Sequence, residues 1–367
     1  MRRGKVLLLG CGNRTFLAAV RSLGRAGLEV HAVSDRAGRP EFKSRYLSRL
    51  HDLPDLDSLL EMMARERFQL VLPLSEESIL QLWEHRHEFP AVHFLNAPAF
   101  EVTRDKFMTS QLARQLGIPQ SDPQLVDLSS DLSAFVFPLF AKPLQSCILG
   151  QPDRHQVSRV HHLAELQGLV QKEGRLLLER PFPGHGVGLE VLALQGEVVV
   201  SFQHKRIRER PGWGSTYRLS EAVDPRLEDA ARRFMGATHY TGVGMLEFRR
   251  NRQGEFVLLE VNGRFWGSLP LAVAAGVDFP LYLYQAVVEG RRDFPRHYPV
   301  GLAARNLFGD LVWLQNNWDV RRVLPHMTTV LGEAARFLRG RESWDSWAWD
   351  DPWPALHEIF SKLAGRG

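Results

Sequence analysis

Cysteine is nearly absent: the 367 residues contain two, Cys11 and Cys147, far apart in the chain. Neither a disulfide framework nor a zinc spacing can be assembled from such a pair, which points to a reducing compartment. Long apolar runs are missing too. No apolar stretch reaches roughly 18 residues, so no membrane span is expected. The opening "MRRGKVLLLGCG" carries an apolar run too short for a signal peptide. Charge of one sign is scarce as well. Lys plus Arg exceed Asp plus Glu by 46 to 42, a net charge of +4. That scattered excess is too small for a nucleic-acid groove, although it suits a small anionic ligand. There is no internal repeat and no low-complexity tract. These absences leave a soluble, cytoplasmic protein with no nucleic-acid partner and room for about two or three domains.

What is present falls into an ordered series. Lys5 to Gly10 is a buried-strand pattern that breaks at "GCGN"; Phe16 to Ala26 is helical by periodicity, and "LEVHAVS" is a second strand. This is a βαβ unit, implying a parallel sheet with a right-handed crossover. "FQLVLPLSEES" adds a strand ending at Pro73 and a helix through Trp83, and "VHFLNAP" adds another strand. Residues 1–100 therefore form an N-terminal wound α/β domain. "TRDKFMTSQLARQLGIP" is a helix with Thr103 or Asp105 near its start and Gly117 at its end. Beyond it, "FPLFAKP", "RLLLERP", "GLEVLAL", "EVVVSFQHKRI", "GVGMLEF" and "EFVLLEV" read as strands, with helices at "HHLAELQGLVQ" and "DPRLEDAARRFM". The mixture is α+β. From 291 to 367 helical patterns and tryptophans dominate, with four of the nine tryptophans in "ESWDSWAWDDPWPAL".

"GCGNRT" opens like a dinucleotide fingerprint, with Asp35 ending the next strand where a ribose acid would sit. Thr15, however, stands where the third glycine should let the helix approach the strand. A nicotinamide-dependent oxidoreductase using this turn is therefore the alternative reading. Further on, "PLSEES" ends a strand where open α/β sheets present ligands, so Ser75 and Glu76 suit an amine; Ser75 suits helix capping equally.

"GMLEFRRNRQGEFVLLEVNGR" poses a different question, because two carboxylates and an amide sit in an otherwise oily segment. With "NRQG" as a hairpin tip, Arg250 faces Glu255, Glu247 faces Leu258 and Glu260 faces Met245. Period-two alternation then places Glu247, Glu260 and Asn262 on one face; a one-residue change of register would divide them. Unpaired carboxylates on a half-buried face are costly. Either nearby arginines neutralise them at the surface, or they hold a divalent metal.

"MLEF" followed by "LLEVNGR" resembles the metal-binding segment of the ATP-grasp superfamily, a Glu in one strand and Glu-x-Asn-x-Arg after the next. The helix "TRDKFMTSQLARQLGIP" is similar to that family's Asp-Lys helix, "FPLFAKP" to its phosphate-lysine strand and "LLERPFPG" to its adenine hinge, all in family order. The resemblance spans residues of about 5 to 290 and has the carboxylate–amine ligase type of that superfamily, related to carbamoyl-phosphate synthase and biotin carboxylase domains. It implies ATP and Mg²⁺ (or Mn²⁺) as cofactors, with Glu247, Glu260 and Asn262 as metal ligands. Lys106 and Lys142 would touch the phosphates. At the hinge, the carbonyl of Arg180 and the N–H of Phe182 would meet adenine, with Glu179 as a second acceptor; Pro181 between them loses nothing by lacking an N–H. Arg264 would stabilise the phosphorylated intermediate, and Lys205, Arg206 or Arg208 would bind the acceptor carboxylate.

The chain departs from the family at two places. The loop "PLQSCILGQPD" is poor in glycine and serine, leaving Ser146 to Gly150 to cradle phosphate, and the ribose acid falls near Val187, with His185 as the substitute. The implied architecture is an N-terminal wound α/β domain (1–100), an ATP-grasp lid with its linking helix (101–175), a metal-site subdomain (176–290) and a Trp-rich helical extension (291–367). The implied reaction joins a small-molecule carboxylate to an amine through an acyl phosphate and releases ADP, not AMP. A non-catalytic ATP-binding regulator is the other alternative, and a homodimer is compatible with either.

Overall fold

The computed structural model describes residues 4–10, 14–34, 39–53, 55–150, 156–210, 214–317 and 323–364. Cys11, Gly12 and Asn13 of the "GCGN" turn and Asp35 lie outside the described residues, as do residues 211–213. The chain forms two compact units that do not follow four consecutive segments. One comprises Met1–Phe94, His204–Ala222 and Arg264–Gly367; the other comprises Leu95–Gln203 and Val223–Gly263.

The first unit opens with the expected parallel sheet, in the order Arg49–Asp52, Glu29–Ser34, Lys5–Leu9, Leu70–Pro73. Val6, Leu7 and Leu8 are completely buried, as befits a central parallel strand covered on both faces. Helix Arg14–Arg25 follows the first strand, and helix Glu76–Trp83 follows the last. The strand expected at "VHFLNAP" shrinks to one parallel bridge, Val71 with Val92. Its end is used otherwise: the Asn96 side chain accepts from the Ala99 N–H and caps helix Ala97–Arg104.

The C-terminal stretch contains the expected helices, Leu307–Asn317, Val323–Leu338 and Trp353–Leu363. It also supplies two three-residue strands, Ala303–Arg305 and Glu342–Trp344, which extend the sheet beside Gly214–Glu221. Strands that short carry no readable period. The extension is also latched to the N-terminal helix of the same unit. Buried Asp351 accepts from Arg21 Nε at 2.9 Å, Ser44 Oγ at 2.7 Å and the Arg45 N–H at 2.9 Å. Asp350 pairs with Arg25 at 2.6 Å and accepts from the Tyr46 hydroxyl at 2.6 Å.

The second unit holds two antiparallel arrays. One has the order Gln124–Asp127, Arg175–Glu179, Leu139–Pro143, Ser158–Val160, with helix Leu163–Glu173 packed on it. The other has the order Phe256–Asn262, Gly242–Arg250, His185–Leu194, followed by the start of Glu197–Arg210, which runs on into the first unit. Leu227, Ala230, Ala231 and Phe234 of helix Pro225–Ala237 pack with Val187, Leu189, Leu246 and Phe248 in a closed core. That apolar backing leaves the chemistry-bearing side chains to the opposite face of the strands.

Candidate active site

The hairpin Gly242–Arg250 with Phe256–Asn262 turns where expected, but its register differs from the sequence expectation. Arg250 faces Phe256, not Glu255, and Glu247 faces Glu260, not Leu258. By itself the one-residue shift at the turn would have sent Glu247 and Glu260 to opposite faces. The register shifts again between Glu247 and Phe248, because Phe248 faces Leu258 and leaves Leu259 as the extra residue of a bulge. Two shifts of one restore the parity. Glu247, Glu260 and Asn262 therefore share a face, and Asn262 Nδ2 donates to Glu260 Oε1 at 3.2 Å and to Glu247 Oε1 at 3.4 Å.

The bulge has a second consequence. Leu259 loses its place in the ladder, and its carbonyl accepts from Lys142 Nζ at 3.1 Å. The same ammonium pairs with Glu179 Oε2 at 2.7 Å. Lys142 and Glu179 stand on adjacent antiparallel strands and are both almost wholly buried. Burial pushes the Glu179 carboxyl up, the Lys142 charge and hydrogen bond oppose it, the Glu260 charge raises it further, and the Lys106 charge lowers it. These four groups thus sense one another. Lys106 opens helix Lys106–Gln115, where Asp105 caps the Phe107 and Met108 N–H groups, and its Nζ reaches Ser146 Oγ at 2.6 Å. Ser146 belongs to the loop expected to cover phosphate; the residues that follow Gly150, from Gln151 to His155, lie outside the described residues.

The hinge residues Arg180 and Phe182 leave strand Arg175–Glu179, and the Arg180 N–H donates to the Ser121 carbonyl at 3.2 Å. Arg249 braces the segment from the acidic hairpin, donating Nε to the Phe182 carbonyl at 3.0 Å and Nη2 to the Gly184 carbonyl at 2.7 Å. Gly184 has φ +115°, and a Cβ there would collide with the Arg250 carbonyl, so the hinge turns tightly against the hairpin only because the residue is glycine. His185 begins the next strand, half-buried and facing Arg250. Among the described residues no three His, Cys, Asp or Glu side chains gather as a metal set. The candidate set has only two acids, with the amide as third member.

Sequence reading missed Arg249, the Leu259 carbonyl and the Lys142–Glu179 pair. The "FRR" run hinted at the first; nothing local announced the others.

Arg264 and Lys205 belong to the first unit. Lys205 is half-buried, and Arg264 Nη1 donates to the Phe265 carbonyl at 2.9 Å. Arg208, one of the cations considered for an acceptor carboxylate, is engaged internally: it pairs with Asp310 at 2.6 Å and also with Glu333. Ser75 is a helix cap, accepting from the Ser78 N–H at 3.1 Å, and lies so close to Gly10 that a Cβ there would meet its hydroxyl. Thr15 donates its hydroxyl to the Trp266 carbonyl at 3.0 Å, so the position of the fingerprint's third glycine packs through a hydrogen bond.

Residues 172–306 match the family described as "ATP-grasp in the biosynthetic pathway with Ter operon". The chain is 29% identical over 151 residues to formate-dependent phosphoribosylglycinamide formyltransferase of Edwardsiella ictaluri, covering 39% of this chain and 37% of that one. It is 27% identical over 215 residues to D-alanine–D-alanine ligase of Pseudomonas putida, covering 52% and 65% respectively. The matches thus span less than two thirds of those relatives' lengths. The crystal structure of an L-amino acid ligase from Bacillus licheniformis superposes with TM-score 0.61 at 20% identity, over 79% of this chain and 75% of that chain. The family match lies on the segment that holds the hinge and the acidic hairpin, and the likeness to the solved structure is one of fold. No described helix is long and apolar enough to cross a membrane.

Proposed function

We propose that the protein is an ATP-dependent ligase that joins a carboxylate to an amine through an acyl phosphate, releasing ADP and phosphate. The observation that carries this reading is the bulged hairpin, which turns Glu247, Glu260 and Asn262 to one face and hands the Leu259 carbonyl to Lys142. Two carboxylates and an amide oxygen fit magnesium, which takes one or two carboxylates and completes its shell with phosphate oxygens and water; manganese is the alternative ion. When bound, the ion would neutralise charge on the terminal phosphates.

The chain's own residues do the positioning. Lys106 and Lys142 present ammonium groups to the α and β phosphates, already anchored by Ser146 and by Glu179 with Leu259. The Arg180 carbonyl and Phe182 N–H take the adenine edge, and Arg249 holds that segment in shape. His185 serves the ribose. A substrate carboxylate oxygen attacks the γ phosphorus, the bond to the β–γ bridging oxygen breaks, and ADP leaves. The amine nitrogen then attacks the acyl carbon, phosphate departs with the bonding electrons, and the amine loses a proton. Arg264 supplies a planar fork for the acyl phosphate, and Lys205 a charge for the acceptor carboxylate. The names of two similar proteins, a D-alanine–D-alanine ligase and an L-amino acid ligase, support amide-forming chemistry.

The test is a screen of amino acids and small acids for stimulated ADP release with Mg²⁺, with the product mass read alongside. AMP with pyrophosphate, or indifference to MgATP, would overturn the reading.

A further inference from the structure

A second group of charges, wholly inside the first unit, sets two arginines on one carboxylate. Arg218 on strand Gly214–Glu221 is completely buried and pairs through Nη2 with Asp345 Oδ1. Among the described residues its Nε and Nη1 have no hydrogen-bond partner. Arg14, the first residue of helix Arg14–Arg25, donates Nη1 to the other oxygen of Asp345 at 3.1 Å and to the Ser215 carbonyl at 3.0 Å. One carboxylate is therefore split between two guanidinium groups that each offer a fork. Burial first, and then the charge of Arg218, lower Arg14 from the ordinary arginine range; Asp345 opposes this, and Arg206 adds a third cation to the field. Arg206 has Glu209 at 3.9 Å. The other acid that senses Asp345 is Glu358, which burial pushes up toward its neutral form.

Unpaired buried guanidinium N–H groups cost the full desolvation of those donors. A core arginine kept for packing alone would find acceptors, as most buried polar groups do. Gly267 lies close beside Arg14. A Cβ on Gly267 would come 3.2 Å from Arg14 Nη2 and 3.3 Å from its Nε, tight against the guanidinium. Arg14 keeps 18% of its side chain open to solvent, so the cluster is not sealed.

The geometry points to an oxyanion-binding site formed by Arg14 and Arg218, oriented by Asp345 of the C-terminal extension, that takes a carboxylate or phosphate group of a small-molecule ligand. In the ligase reading, on which only the ligand's status as a substrate rests, this gives one substrate an anionic handle. Asp345 acts as a positioning residue: it holds one edge of each guanidinium and leaves the unpaired donors of Arg218 for the ligand. The extension is then part of a binding site as well as a latch.

The test titrates the full chain with succinate and with inorganic phosphate, without nucleotide and in low-chloride buffer, and follows the thermal midpoint and heat of binding. At least one probe binds the wild-type protein and raises its midpoint, and the one that does so identifies the oxyanion. Arg218→Lys keeps the charge but loses the fork, and weakens that probe by roughly tenfold or more. Gly267→Ala crowds Arg14 without touching its charge and also weakens the probe, which keeps the test decisive should the arginine variant fail to fold. Absence of binding by both probes would overturn the site and leave water as the partner of the Arg218 donors. So would binding that both folded variants retain in full. Because no ATP is present, a failed ligase assay with intact probe binding would sink only the proposed reaction.

Discussion

Two of the chain's dense sets of charges, one in each compact unit, differ in kind. In the first unit Arg208 and Arg305 meet Asp310, Glu333 and Glu342, with Arg305 bonded to Glu333 at 2.8 Å and to Glu342 at 2.7 Å. Tyr217 lies under both guanidinium groups at 4.8 Å and 4.3 Å, and burial pushes its hydroxyl up to about 12. Thr216 donates to Asp310 Oδ1 at 3.1 Å, and Tyr217 donates at 3.0 Å to Glu342 Oε2, which Arg305 also reaches. Planar forks and stacked rings saturate one another there, so the network holds the short strand Ala303–Arg305 and helix Leu307–Asn317 in place. In the second unit lysines stand in for arginines, and Glu247, Glu260 and Asn262 face one another across a hairpin. Ammonium groups are point charges that can serve a new anion without losing a fixed fork. A closed arginine network builds structure; a lysine–carboxylate set suits the ligand role proposed for it.

That contrast breaks most visibly at Asp310. Asp310→Ala strips a carboxylate from Arg208 and Arg305, and loss of one partner of a buried pair costs about 3–5 kcal/mol. The expected result is a large drop in unfolding free energy in denaturant melts. An unchanged midpoint would mean the network is not closed. Glu260→Gln should do the reverse: hardly move the melt, but cut Mg²⁺-dependent ADP release by about 10²–10³-fold, the loss typical of one charge-stabilising group.

A sharper comparison uses pH. Glu179 has its carboxyl raised by burial, with Lys142 opposing. The folded state therefore binds the proton more tightly than the unfolded chain, and Glu179's contribution to stability falls as pH rises from the unfolded value of 4.5 toward the raised folded one. Lys142→Met removes the opposing charge and should extend that loss to higher pH, with a slope of at most about 1.4 kcal/mol per pH unit. Adding Glu179→Gln should flatten the slope, read from denaturant melts across pH. The smallest effect is expected at Asp105→Ala, which uncaps the helix that carries Lys106 and costs about 1 kcal/mol.

Much of this was legible in the chain. The βαβ start, a helix start at Thr103 or Asp105, the lysine strand and the turn at "NRQG" follow local patterns whose physics is local. The hairpin is more instructive, because Glu247, Glu260 and Asn262 share a face although the expected register was off by a residue at the turn. Parity was restored by a bulge at Leu259 that no period announces, since Leu259 resembles any other strand residue until a partner strand is paired with it. Likewise "VHFLNAP" had a strand's composition, and its end was claimed by the Asn96 cap.

The sequence by itself determined which residue types were available and where helices and strands would begin, because caps, turns and period depend on neighbours a few residues apart. Only the tertiary structure decided who faces whom. It paired Lys142 with Glu179, gave Arg249 the hinge carbonyls, and bound Asp345, from the far end of the chain, to Arg14 and Arg218. Charge and hydrogen bonding act over a few ångströms of space, and folding sets that distance between residues hundreds of positions apart.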